Sequence, residues 1–298
     1  MGRIMETVSA PRVSIGPFGA YLSLTKPKAI PAHFLTAAAA MFLAAGGAPP
    51  SSTLLLTLLG GGCTAAAANT LNCFFDRDID ALMARTRGRP LPSGLVRPDH
   101  ALIFAGVLGL AGISILGGLV SSAAAILALV ALAYYVLAYT LWLRRRTRWS
   151  SIVGSAIGAV PPIIGWVVVT DRVTLAPFLL SAIIILWTVP HFWALAYFRR
   201  REYAEAGLRT PSEKGAGIWI TASSSALVAA SLVLAPAAGL GFVYIAAACA
   251  LGAGLIYLGV RMSRREPLPA ARHLYSYSIV YLAVLFGAMI VDTAARRL

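Results

Sequence analysis

Asn72, Asp76 and Asp80 stand four residues apart in the run NTLNCFFDRDIDALMARTRGRPLPSG. On a helix, each would lie about 40° round from the last and about 6 Å further along, so the three share one face. Two carboxylates and an amide oxygen on one face suit Mg²⁺, a hard ion that takes oxygen ligands and keeps water or substrate phosphate in its shell. A diphosphate is the natural guest of such a site. Asp78, offset by about 200° from Asp76, is expected to face elsewhere, toward Arg85 or solvent. Arg77, Arg85, Arg87 and Arg89 follow closely, and planar guanidinium groups can clamp phosphate oxygens and offset the charge of a leaving diphosphate. The alternative is that these acids and bases only neutralise one another. Their clustering at the mouth of an apolar bundle favours a site.

The elements that must position these residues are helices in a bilayer. The chain has 298 residues, 59% hydrophobic and 12% charged, with a mean hydropathy of +0.79, outside the range of soluble domains. A span takes about 20 apolar residues, because lipid offers the backbone no hydrogen-bond partners. Nine such segments are expected, near 28–46, 52–75, 100–120, 122–142, 151–170, 174–197, 216–236, 240–260 and 273–292. The fold class expected is therefore all-α: a polytopic bundle of nine transmembrane helices over residues 21–298, preceded by a cytoplasmic tail over 1–20. With the N-terminus inside, every Lys and Arg except Arg172, Arg296 and Arg297 falls on the inner side. That asymmetry predicts N-in, C-out topology, and it accounts for the net charge of +14 without nucleic acid. The stretch before Tyr21 has neither an apolar h-region nor an Arg-rich amphipathic pattern, so no signal or transit peptide is expected there and a bacterial plasma (inner) membrane is the simpler address. Cys63, Cys73 and Cys249 show no CxxC spacing and suggest packing rather than a disulfide or zinc site. The two long inner connections, about Asp76 to Asp99 and Arg199 to Gly215, hold most of the acids, and long polar loops where short ones would suffice point to function.

The run from Asn72 resembles a signature of the protohaem IX farnesyltransferases (haem O synthases) of the UbiA-type intramembrane prenyltransferase superfamily. LTKP at Leu24 to Pro27, AVPPIIGW from Ala159, PHFWALA from Pro190 and ARHLYSYSIVYL from Ala271 carry the same resemblance, which extends over nearly all of the chain after Tyr21. It implies a nine-helix bundle open laterally to lipid, with Asn72, Asp76 and Asp80 binding Mg²⁺ and the diphosphate of farnesyl diphosphate at the cytoplasmic face. It also implies Arg85 and Arg89 as loop basics on that diphosphate, haem B as acceptor, and a haem A synthase as downstream partner.

After the sixth expected span the family shows an acidic Asp-Tyr element and a Leu-Pro stretch ending in a basic-Gly pair. This chain reads RREYAEAGLRTPSEKG: Glu202 replaces the Asp, Tyr203 matches, Arg209-Thr210-Pro211 is altered and about one residue shorter, and Lys214-Gly215 return to pattern. Glu202 and Glu205, three apart, are candidate metal ligands; the alternative is that they neutralise Arg199 to Arg201. Lys214, Arg144 and Arg145 are candidate diphosphate contacts, the two arginines following Tyr139 where the family carries a Lys-Arg pair; positive-inside anchoring is the alternative for them. His191, in the family's Pro-His run, and His33, in the first span, are candidate acceptor-pocket residues together with Tyr139 and Tyr203, since ionisable groups inside a bilayer are costly. Trp187, Phe192, Trp193 and Tyr197 are placed to flank a macrocycle or an isoprenoid tail, or simply belong to the interfacial aromatic belt. Two rival functions remain open: the same transfer to an aromatic or quinone-precursor acceptor, and a membrane transporter.

Overall fold

The computed structural model describes residues 16–147, 150–154, 157–172, 174–205, 207, 215–264 and 267–296. Helices α1 (Pro17–Leu24) and α2 (Ile30–Ala45) lead into α3 (Ser51–Phe75), followed at once by α4 (Arg77–Leu82). Next come α5 (Pro98–Leu119) and α6 (Ser122–Ala133), which runs on as a π-helical stretch over Tyr134–Leu143 into one last turn, α7 (Arg144–Arg146). The rest comprises α8 (Ser150–Gly154), α9 (Val160–Thr170), α10 (Leu175–Phe198), α11 (Arg200–Glu205), α12 (Ala216–Ala237), α13 (Phe242–Arg264) and α14 (Pro267–Ala295). No strand occurs among the described residues.

Seven helical segments are long and apolar enough to cross a membrane: α3, α5, α6 with its π-helical extension, α10, α12, α13 and α14. The other two expected spans are shorter. Helix α2 has 16 residues and α9 has 11, which at about 1.5 Å per residue fall short of roughly 30 Å of hydrocarbon. The fifth expected span is broken, because Pro161 and Pro162 lie in the first turn of α9, where missing N–H groups cost nothing, and cannot continue a helix arriving from α8. The nine expected spans thus correspond, among the described residues, to seven long apolar helices and two shorter ones.

The helices pack largely as chain neighbours, α3 on α5, α5 on α6, α12 on α13 and α13 on α14, while α2 packs on α9 and α14 returns to α2 to close the bundle. Close approach of α3 and α5 depends on glycine. A Cβ on Gly112 would lie 2.4 Å from Thr64 Oγ1 and 2.7 Å from the Gly60 carbonyl, and one on Gly60 would lie 2.8 Å from Leu116. Small residues that let backbones meet are the usual device where lipid removes the hydrophobic drive between helices. Several buried hydroxyls within the spans return to their own helices: Thr64 donates to the Gly60 carbonyl (2.9 Å), Thr70 to Ala66 (2.8 Å) and Thr188 to Ile184 (2.8 Å). The outward surface carries Val107, Leu110, Ile126, Phe178, Ile218 and Phe242 in exposed positions. In water such a surface would be a liability; against acyl chains it is the required solvent match.

Candidate active site

Helix α3 delivers Asn72 to one mouth of the bundle and then changes direction. Its last residue is Phe75, and Asp76 takes a bridge-region backbone (φ −94°, ψ 5°) before α4 starts. The helical hydrogen bonds nevertheless continue across the junction, from the Asp76 N–H to the Asn72 carbonyl (3.0 Å) and from the Asp80 N–H to the Asp76 carbonyl (2.8 Å). Asn72, Asp76 and Asp80 therefore keep a common face, and each is 0% exposed. Asp78 points to the exposed side.

Hydrogen bonds orient the three groups. Asn72 Nδ2 donates to Asp76 Oδ2 (2.7 Å) and to Thr140 Oγ1 (3.0 Å), while its Oδ1 accepts from the Lys26 ammonium. Only this orientation of the amide places donors against acceptors on every side. Thr140 reaches Asn72 from the π-helical stretch and donates its own proton to the Tyr135 carbonyl five residues back (2.8 Å). Widened turns of this kind recur at functional sites because they re-aim a side chain. Asp76 Oδ2 also accepts from Arg144, and Asp80 Oδ2 accepts from Arg89 at 2.6 Å. The outer oxygens differ: Asp76 Oδ1 and Asp80 Oδ1 are sealed from the surface and have no hydrogen-bond partner.

Two orphaned carboxylate oxygens one helical turn apart, beside an amide oxygen, fit a hard cation, since burying such oxygens unpaired is otherwise costly. Burial pushes the Asp76 carboxyl above its ordinary value, against the pull of Arg144 and Lys26. Burial also pushes the Lys26 ammonium below its ordinary value, aided by Arg89 and Arg144 and opposed by Cys73 and Asp76. Three cations, Lys26, Arg89 and Arg144, against two carboxylates leave an excess of positive charge suited to a polyanion.

The second loop meets this site from outside. Glu202 Oε1 accepts the Arg85 backbone N–H (2.9 Å) and Oε2 pairs with Arg199 (3.1 Å), while Tyr203 packs on Ile79 and Met83 of the α4 region. Glu202 and Tyr203 thus clasp the two loops together. Among the described residues no three His, Cys, Asp or Glu side chains gather in a metal-sized cluster, so Glu202 does not form one with Asp76 and Asp80. Glu205 is exposed at the end of α11, and the Arg85 side chain is exposed. Lys214 and the 209–211 stretch lie outside the described residues, as does the side chain of Arg145.

Tyr139 stacks on Tyr135 (centroids 5.3 Å, planes 18° apart), and Gly154 leaves room for its ring, since a Cβ there would lie 2.5 Å from it. His191 lies about two turns inside the end of α10, between Trp187 (4.4 Å, 19°) and Tyr275 (4.7 Å, 27°), with Nδ1 hydrogen-bonded to Ser278 Oγ at 2.8 Å. Fixing Nδ1 leaves Nε2 as the nitrogen available to a ligand. His33 is half-buried in α2, and its Nδ1 is sealed without a partner. Sequence reasoning missed Lys26 and Thr140 as members of the site. Lys26 had a signal, the LTKP run; Thr140 had none, because its reach depends on the π-helical geometry.

A helical bundle with a buried Asn-Asp-Asp face at one mouth, ringed by Lys26, Arg89 and Arg144, defines an intramembrane polyanion-handling enzyme rather than a pore. The UbiA prenyltransferase family model matches residues 33–289, and the chain belongs to that family. It is thus an enzyme of the prenyltransferase class. Among its curated relatives is a protoheme IX farnesyltransferase of Gloeobacter violaceus, 40% identical over 290 residues, covering 96% of this chain and 95% of that one. Another, from Gloeothece citriformis, is 42% identical over 283 residues, covering 92% and 87%. Among solved structures, a digeranylgeranylglyceryl phosphate synthase superposes with a TM-score of 0.78 at 16% identity, over 94% of this chain and 100% of that one. A UbiA homolog from Archaeoglobus fulgidus bound to GPP and Mg2+ gives 0.60 at 16% identity, over 91% and 99%. At these identities the two structures establish the fold.

Proposed function

We propose that this chain transfers the farnesyl group of farnesyl diphosphate to a vinyl group of protohaem IX (haem B), releasing diphosphate and giving haem O. The observation that carries the chemistry is the pair of sealed, partnerless oxygens, Asp76 Oδ1 and Asp80 Oδ1, on one face with Asn72. The acceptor follows from the names of the relatives at about 40% identity. Asn72, Asp76 and Asp80 hold Mg²⁺, which supplies Lewis acidity to the departing diphosphate. Arg144 and Arg89 orient the two carboxylates through their Oδ2 atoms and, with Arg85, Arg145 and Lys214, balance the charge that develops on the leaving group. The allylic carbon is then captured by the vinyl group, and water completes the hydroxyethylfarnesyl side chain. The apolar helices around the mouth exclude water that would quench the carbocation. His191, held by Ser278 and stacked between Trp187 and Tyr275, and Tyr139 line the acceptor side, with His33 further along α2. Glu202, Glu205 and Tyr203 belong to the second loop; Glu202 acts there by holding the Arg85 backbone.

On the topology expected from the sequence, the side that carries Asn72 to Asp80 also carries most of the basic residues. By the positive-inside rule that side faces the cytoplasm of a bacterial plasma membrane, with residues 1–20 as a cytoplasmic tail and 21–298 as one intramembrane unit. Product passes to a haem A synthase. The test uses purified protein with farnesyl diphosphate, Mg²⁺ and haem B, followed by mass spectrometry. Haem O above a no-enzyme background is expected; its absence, with prenylated product from an aromatic acceptor panel instead, would transfer the reading to the quinone-precursor class.

A further inference from the structure

The three cations around the face do not hold it in the same way. Arg144 and Arg89 each bond Oδ2 of a carboxylate and leave its Oδ1 open. Lys26 instead bonds Asn72 Oδ1, the one oxygen of that amide. Its second lone pair is formally free, but a divalent ion there would share the oxygen with an ammonium, and that repulsion drives Lys26 off; both aspartates can take the ion on Oδ1 with their arginines in place. The backbone of Lys26 is fixed: its left-handed residue (φ 52°) sits in a tight turn with the Lys26 N–H on the Ser23 carbonyl (3.2 Å) and the Ala29 N–H on the Lys26 carbonyl (2.9 Å). The Thr25 carbonyl before it is bound by Asn69 Nδ2 (3.0 Å). Only the flexible side chain of Lys26 can yield. Once displaced, its ammonium stays next to the metal, and that repulsion is relieved only by an anion shared between the two.

We propose that Lys26 is an exchangeable counter-cation that competes with the metal for Asn72 Oδ1 and passes to a phosphate oxygen when diphosphate arrives, so that metal and diphosphate bind as a coupled pair. Lys26 thereby suppresses metal loading without substrate and contributes a phosphate contact with it. The inference rests on the metal and diphosphate reading of the site, and the experiment separates the two.

Mn²⁺ binding to the full-length protein in detergent is read from loss of the free-ion EPR signal, alone and with inorganic pyrophosphate, using D76N as the blank for solution chelation. Wild type is expected to bind Mn²⁺ weakly alone and at least about tenfold more tightly with pyrophosphate, reciprocal linkage requiring the same factor for pyrophosphate. K26M should bind Mn²⁺ alone about tenfold more tightly than wild type, the scale of relieving one adjacent charge, and should lose most of the pyrophosphate enhancement. K26Q, which keeps a donor for Asn72 but no charge, should fall between them and guards against a folding defect in K26M. Metal binding by both variants no tighter than wild type, with D76N still silent, would overturn the role of Lys26 and leave the metal site standing. Wild type indistinguishable from D76N under all conditions would overturn the metal site itself.

Discussion

Replacing Asp76 with Asn removes one charge and almost no volume, and the surrounding bonds determine the consequence. The native carboxylate presents Oδ2 to Asn72 Nδ2 and Arg144, both donors, and keeps Oδ1 buried without a partner. An amide has one acceptor end. If its oxygen replaces Oδ2, an NH₂ group faces the metal position; if it is flipped, that NH₂ group meets two donors and leaves Arg144, 18% exposed, without its anion. Losing a charge-assisted hydrogen bond costs about 1.5–3 kcal/mol, and losing one fixed electrostatic partner of developing charge costs about 2.7–4 kcal/mol, or 10²–10³ in rate. D76N is therefore expected to lower kcat at least about 100-fold, near 2.7 kcal/mol in barrier. Added Mg²⁺ should not restore it. The assay is product formation by mass spectrometry over a matrix of metal and farnesyl diphosphate concentrations, with D78N on the exposed side as the matched control, expected within about threefold of wild type. If D76N and D78N lose similar activity, or if D76N keeps kcat and changes only KM, the assignment of Asp76 to the leaving-group charge is wrong.

T140V removes the acceptor of Asn72 Nδ2 and is expected to reduce metal affinity about 10- to 100-fold, whereas T140S retains it; equal affinity for both would show that the π-helical stretch does not orient Asn72. G112A drives a methyl group into the α3 backbone near Thr64, so unfolding in detergent should show a loss of about 1–3 kcal/mol, and an unchanged melting curve would refute the close α3–α5 contact. Burial raises the Glu202 carboxyl, but the Arg85 N–H and the Arg199 side chain outweigh it and hold it below its ordinary 4.5. With the folded value depressed, the clasp is fully present above about pH 4.5 and is lost as pH falls through the lower value. Amide exchange at Arg85 should be slower in wild type than in E202Q near pH 6, with the difference vanishing in stronger acid; no difference at either pH would remove Glu202 from the clasp.

Much of this protein is legible without coordinates, because its strongest constraints are local. Backbone groups in lipid must bond within their own segment, so apolar runs such as 52–75 and 216–236 declare helices α3 and α12 nearly to the residue. The i, i+4, i+8 spacing placed Asn72, Asp76 and Asp80 on one face, and hydrogen bonds across the α3–α4 junction preserve it. What the chain does not reveal locally is reach across sequence distance. Lys26 meets Asn72 over 46 positions, and Thr140 and Arg144 each meet the site over 68. Glu202, a candidate metal ligand by its place in the second loop with neutralisation of Arg199 to Arg201 as the alternative, bonds the Arg85 backbone and Arg199, because acidic residues that look equivalent in sequence are distinguished only by which N–H or guanidinium the packing brings to them. Helix identity is thus decided within each segment, while the orientation of Asn72, the two partnerless oxygens and the partner of every charge are decided by helix-to-helix packing, where the wider i→i+5 turns of Tyr134–Leu143 re-aim Thr140.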